Sequence, residues 1–184
     1  LTYRQLYPHL ITVFLLLVLK LVSQLSFSRL LYKDNPLMAY TLEQVSAKLE
    51  IHDLLYRYAE LIDAKAFDQL NEVFTDDAFI DYTALGGEKG NLPETIDFLQ
   101  RSLTDAFPSH QHLNANCQIT LATEHDISQA TGRIMCFNPM EMAAKEEQGK
   151  LMMCGLWYFD DYVKVDGSWK IQRRVEEKSW VKVI

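Results

Sequence analysis

The sequence contains no C-x-x-C motif, and its three cysteines, Cys117, Cys136 and Cys154, stand far apart and are odd in number. A disulfide framework is therefore excluded as the organising principle, and the thiols read as buried and free in a reducing compartment. A basic stripe is also missing. With 18 Lys+Arg against 25 Asp+Glu the net charge is -7 and the pI is near 5.2, which disfavours binding to a nucleic-acid backbone. No apolar run is long enough to span a bilayer. The run from Leu10 to Leu19 ends at Lys20, well short of the ~20 apolar residues a spanning helix needs. It has the length of a signal-peptide core, with Arg4 as a weak positive flank, but no small-x-small cleavage site follows.

Residues 1–37 are thus unlike the rest. The sequence opens on Leu, and Met38 immediately precedes a well-formed helix start. The expectation is one domain over residues 38–184, with residues 1–37 extraneous or disordered. An apolar anchor over residues 10–27 is the alternative. A start near Met38 implies the cytoplasm, and a functional leader or anchor would change that compartment.

What remains is ordinary for a folded domain: 48% hydrophobic and 23% charged residues. Thr41-Leu42-Glu43-Gln44 reads as a capping box, with Tyr40 and Val45 at the staple positions. Behind it Val45, Leu49, Ile51, Leu54, Leu55, Tyr58, Ala59, Leu61 and Ile62 form a wide helical arc, which predicts cover on more than one side. Phe67, Leu70, Val73 and Phe74 suggest a second, short helix, and Ala78–Tyr82 a short strand. Gly86-Gly87 and Gly90 mark a loop. Pro93 suits the first turn of a third helix carrying Ile96, Leu99, Leu103 and Phe107, closed by Pro108.

Strands follow. From His112 to Leu121 polar and apolar residues alternate without a defect, so one face should be polar throughout. Glu124-His125-Asp126 predicts a turn, Ile127–Phe137 a strand ended by Asn138-Pro139, and Met140–Gly149 a charged loop. Leu151–Val165 is apolar on both faces as far as Phe159. Asp166-Gly167 is a two-residue type I′ hairpin signal, and the last strand runs from Trp169 to Val175 or beyond. Helices first and antiparallel strands after them predict an α+β fold, a curved sheet over helices with a pocket between. A single sheet has only one inner face, so the two apolar faces of Leu151–Phe159 predict a homo-oligomer, dimer or trimer.

Two stretches carry candidate chemistry. Arg57–Asp63 ends a helix with a carboxylate, and His110–Asn116 opens a strand with imidazoles. A carboxylate beside an imidazole fixes the ring tautomer and raises its pKa, which makes a general base. From the residues alone, Asp63 could equally cap the next helix, and His112 could face solvent. His110 and His112 form an H-x-H pair, but no Glu or further His follows at a metal-binding spacing, so no metal is expected.

These residues carry a resemblance. Arg57-Tyr58-x-x-x-x-Asp63, Phe74-x-x-Asp77-Ala78, Asp81-Tyr82, His112-x-x-x-Asn116, Gly155-x-x-Tyr158 and Asp166-Gly167-x-Trp169-Lys170 together resemble the SnoaL-like group of the nuclear-transport-factor-2-like superfamily, from about Thr41 to Trp180. The resemblance implies a cone-shaped α+β barrel: a strongly curved, mostly antiparallel sheet enclosing a pocket, with three helices from the N-terminal half. Scytalone dehydratase, hexachlorocyclohexane dehydrochlorinase and bile acid 7α-dehydratase are similar at the motif level. Their Asp–His dyad falls on Asp63 and His112, and their pocket tyrosines on Tyr82 and Tyr58. A pocket arginine falls on Arg174. Asn116, Asn138 and Tyr158 complete the implied substrate contacts.

The departures are Ile134, where scytalone dehydratase has a second histidine, and Asn138, where the bile acid enzyme has an aspartate. The implied function is a cofactor-independent lyase or isomerase of dehydratase type, acting on a small apolar, aromatic or polycyclic substrate. The rival implied functions are a non-catalytic ligand-binding or accessory domain and a β-subunit-like scaffold of an aromatic-ring dioxygenase.

Overall fold

The computed structural model describes residues 40–123, 127–143 and 149–184. The expected segment 1–37, the start at Met38, the turn at Glu124–Asp126 and most of the loop before Gly149 lie outside the described residues. Leu42–Ile184 forms one compact unit.

Helix α1 spans Leu42–Asp63 and buries Ala47, Ile51, Leu54, Leu55, Tyr58, Leu61 and Ile62. These fall on one stripe at helical spacing. The wider arc expected from the sequence is not used: Val45 and Leu49 are exposed. The second helix is a six-residue 3-10 turn, Phe67–Glu72, which inserts Phe67 and Leu70 into the core. Arg57 ties the two together through Glu72 at 2.8 Å, and Glu60 of its own helix holds it at 2.8 Å. Its place in the motif is thus structural.

Strand β1 is Phe74–Asp81 and β2 is the pair Lys89–Gly90. Helix α2, Leu92–Asp105, starts on a capping box the sequence reading missed. The Asn91 side chain accepts from the Glu94 N–H and the Glu94 carboxylate accepts from the Asn91 N–H, with Pro93 in the first turn.

Strands β3 (Leu113–Leu121), β4 (Gln129–Glu141), β5 (Leu151–Val165) and β6 (Ser168–Val183) complete a six-stranded sheet of order β2-β1-β6-β5-β4-β3. Only the β1–β6 pairing is parallel. The hairpin between β5 and β6 turns at Asp166 (φ 49°) and Gly167 (φ 82°), the two positive angles that a type I′ turn requires.

Strand β4 does not end at Asn138-Pro139 as expected. It continues to Glu141, with Asn138 opposite Cys154 and Pro139 opposite Met153. The Pro139 carbonyl accepts from the Gln111 N–H. On an antiparallel strand the N–H and C=O of one residue point to the same neighbour. The missing proline N–H therefore faces the Gln111 side, where β3 has given way to an isolated bridge, His110 to Met140, and the ladder to β5 is untouched.

Strand β6 runs eight residues past Val175, in keeping with the open end expected for it. Cys136 and Cys154 are buried free thiols, whereas Cys117 is only half-buried.

Candidate active site

The alternation along β3 is broken. The register slips between Ala115 and Gln118, and Asn116 takes a left-handed conformation (φ 46°). Such a bulge inverts which residues face inward. Before it the even positions His112 and Asn114 are the shielded ones; after it the odd positions Cys117, Ile119 and Leu121 are. The polar face is therefore split. His112 turns toward the interior, and Asn116 is left exposed, its amide 3.8 Å from the Met135 sulfur. Asn116 does not line the pocket, which corrects its expected place as a substrate contact.

Asp63 stands in the last turn of α1, which closes in a Schellman arrangement. Lys65 is left-handed (φ 57°), and the Ala66 N–H donates to the Leu61 carbonyl. A carboxylate at this end opposes the helix dipole. It does not cap the following 3-10 turn, whose N-terminal residue Ala66 has no side-chain cap. Its oxygens instead accept from His112: the backbone N–H at 2.9 and 3.1 Å, and ring Nδ1 at 2.7 Å. With Nδ1 donating, Nε2 carries the lone pair, and the Asn138 amide donates to it at 3.2 Å.

Burial pushes the Asp63 carboxyl upward, but its bonds to His112 outweigh this and hold it below the usual range. For His112 the balance reverses. Burial lowers the imidazole pKa, and the pull of Asp63 only partly offsets it, so the net shift is downward rather than the upward one expected.

The pocket holds about 290 Å³ and is walled by α1, the 82–87 loop, α2 and the inner faces of β4, β5 and β6. His112, Asn138, Tyr58, Tyr82 and Tyr158 line it, together with apolar Ile62, Leu99, Phe107 and Met152. The Tyr58 and Tyr82 hydroxyls meet at 2.9 Å. Burial raises the pKa of all three tyrosines, so each keeps its proton and can donate a hydrogen bond.

Arg174 is fully buried and does not line the pocket. It is clamped by Asp160 through Nε at 2.8 Å and Nη2 at 2.6 Å, between the rings of Tyr58 (4.1 Å) and Tyr158 (4.2 Å). Its expected role as a direct substrate contact is corrected accordingly: it holds two pocket tyrosines from behind.

Sequence reasoning missed Asp160 and Glu176. Glu176 lines the pocket, and burial pushes its pKa up to about 8. The available signal was its spacing of two from Arg174, which puts both on one face of the strand.

Asp63, His110 and His112 place ligand-type atoms within 4.8 Å of one another. The atoms are already engaged: His110 Nε2 contacts the Ile62 carbonyl at 3.0 Å, and Asp63 and His112 Nδ1 bind each other. A metal there would have to displace both bonds.

A curved sheet over helices, with a pocket between them, defines the cone-shaped α+β class of the nuclear-transport-factor-2-like superfamily. Within it, the model of the SnoaL-like domain matches residues 43–175, and the chain belongs to that family. It is 41% identical over 141 residues to the uncharacterized protein Rv2910c of Mycobacterium tuberculosis, covering 77% of this chain and 91% of that one. Among solved structures, it resembles a candidate scytalone dehydratase from Novosphingobium aromaticivorans (TM-score 0.65, 21% identity, 75% of this chain and 87% of that). It also resembles a type 3 hexachlorocyclohexane dehydrochlorinase from Novosphingobium barchaimii (TM-score 0.66, 16% identity, 78% and 93%). At these identities the likeness shows the fold. No helix among the described residues is long and apolar enough to cross a membrane.

Proposed function

We propose that this protein is a cofactor-independent lyase that removes a proton beside an electron-withdrawing group and expels a leaving group from a small, largely apolar substrate. The observation that carries this reading is the 2.7 Å bond from His112 Nδ1 to Asp63, which leaves Nε2 unprotonated beside a largely apolar pocket. The low pKa of the ring keeps it in the neutral, basic form at pH 7. Asp63 fixes the tautomer and stabilises the imidazolium that forms. Tyr58 or Tyr82 donates to the oxygen on which charge develops. Asn138 releases Nε2 as substrate enters and then orients it. The names of two structural neighbours, a candidate dehydratase and a dehydrochlorinase, are those of eliminations.

The base step is tested without knowing the natural substrate. The protein should catalyse exchange of the α-protons of 1-tetralone, a small aromatic ketone, into D2O, followed by proton NMR. His112→Gln should lower the rate ~10²–10⁴-fold, the usual contribution of a general base. Exchange that survives this substitution would sink the proposal.

One observation favours the ligand-binding alternative: the Asn138 amide already occupies Nε2. In that case 1-tetralone binds but does not exchange. A homo-oligomer is also proposed, because Met135, Phe137, Trp157 and Phe159 on the outer face are only half-buried and Trp180 and Val183 are exposed. Light scattering that reports a monomer at micromolar concentration would rule it out.

A further inference from the structure

The pocket holds a second titratable group that the base mechanism does not use. Glu176 sits on β6, with β5 and β4 between it and the strand that His112 begins. The two groups therefore reach one pocket from separate parts of the sheet. Glu176 has no hydrogen-bond partner among the described residues, although its Cα neighbour across the ladder is Tyr158. Arg174, two residues before it, gives Nε and Nη2 to Asp160, so its charge is already matched by another carboxylate. We propose that Glu176 is the catalytic proton donor to the leaving oxygen, which makes the substrate class a β-hydroxy carbonyl compound that loses water.

The proposal rests on the elimination reading above. His112 Nε2 takes the proton from carbon, and the C–H electron pair becomes the new C=C bond. The C–O bond breaks toward oxygen, and the Glu176 carboxyl gives its proton to form water. Imidazolium and carboxylate remain, and a proton returned through solvent resets both.

The other groups facing Glu176 suit a different task. Tyr58 of α1, Tyr82 beyond β1 and Tyr158 of β5 are all pushed up by burial, so they donate hydrogen bonds but release protons poorly. Burial raises Glu176 to about 8, with Arg174 pulling it down and Asp81 pushing it up. It is therefore protonated at neutral pH and still acidic enough to give that proton away.

Two probes separate this role from any other. 3-Hydroxypropiophenone and 3-chloropropiophenone share one carbon acid and one product, phenyl vinyl ketone. Hydroxide must be protonated to leave; chloride need not be. Glu176→Gln should slow loss of water ~10²-fold and loss of chloride less than ~3-fold. In the wild type only water loss should decline above about pH 8. Glu176→Asp should restore part of the water-loss rate. A carboxylic-acid C=O infrared band at pH 6, absent from Glu176→Gln, reads the proton without any substrate. Equal losses on both probes, no loss on either, or no such band would overturn the assignment. Turnover of neither probe by the wild type, or turnover unaffected by His112→Gln, would instead overturn the elimination reading itself.

Discussion

Two pairs of a carboxylate and a nitrogen base lie within the same cone, and they do different work. Asp63 and His112 meet at 2.7 Å, Asp160 and Arg174 at 2.6 Å. The second pair is sealed, with both side chains wholly inaccessible, and further locked by the Tyr162 hydroxyl donating to Asp160 at 2.8 Å. Its charges persist because a guanidinium cannot lose its proton within the working range. The first pair is not sealed: the Asp63 side chain is 26% exposed, His112 lines the pocket, and its base can be neutral. The distances are alike, so the difference lies in which nitrogen remains and whether it can yield a proton. Tyr58 touches both: its ring lies 4.1 Å from the Arg174 guanidinium and packs edge-on at 6.0 Å from His112.

Breaking the sealed pair should have the largest effect on the fold. Asp160→Asn leaves a buried guanidinium unmatched and should cost about 3–5 kcal/mol in denaturant unfolding. Replacing both partners, Asp160→Leu with Arg174→Met, should recover much of that loss. A single substitution costing under ~1 kcal/mol would show that water reaches the pair, and the contrast would fail.

The open pair should respond the other way round. Asp63→Asn should lower 1-tetralone exchange ~10²-fold or more while costing under about 2 kcal/mol of stability. The double variant with His112→Gln should be hardly slower than either single variant, since the two act as one unit. Histidine NMR titration supplies the sign. Asp63 raises the His112 pKa against burial, so Asp63→Asn should move that titration still lower. No histidine response would mean that the two groups do not interact.

Glu176 gives a third, pH-dependent contrast. Its folded pKa, about 8, lies above the ordinary carboxyl value of 4.5. The folded state therefore favours the proton, so the stability from Glu176 is fully present below about 4.5 and lost as pH rises through about 8. Glu176→Gln should consequently raise the melting temperature at pH 9 and hardly change it at pH 5. An equal effect at both would mean the carboxyl is solvated.

The smallest expected effect is at the bridge between the two networks. Tyr82→Phe removes the hydroxyl 2.9 Å from that of Tyr58 and should cost about 0.5–1.5 kcal/mol.

The sequence by itself carried the family motifs, the order of helices before strands, the type I′ turn at Asp166-Gly167 and the candidacy of Asp63 and His112. Each is local: a spacing, a turn dipeptide or a helical period reports on neighbours along the chain. The tertiary structure supplied what depends on distant partners. The register against β4 placed the bulge at Asn116, which turned His112 inward and Asn116 out, although the printed alternation ran unbroken. The loss of β3 beside Pro139 let β4 continue and carry Asn138 to Nε2. Asp160, opposite Arg174 across the β5–β6 ladder, made a pillar of a residue expected in the pocket. Burial beneath α1 lowered the His112 pKa despite its carboxylate partner and raised that of Glu176. Desolvation is a property of everything packed around a group, so residues far apart in the chain set it, and no window of sequence contains them.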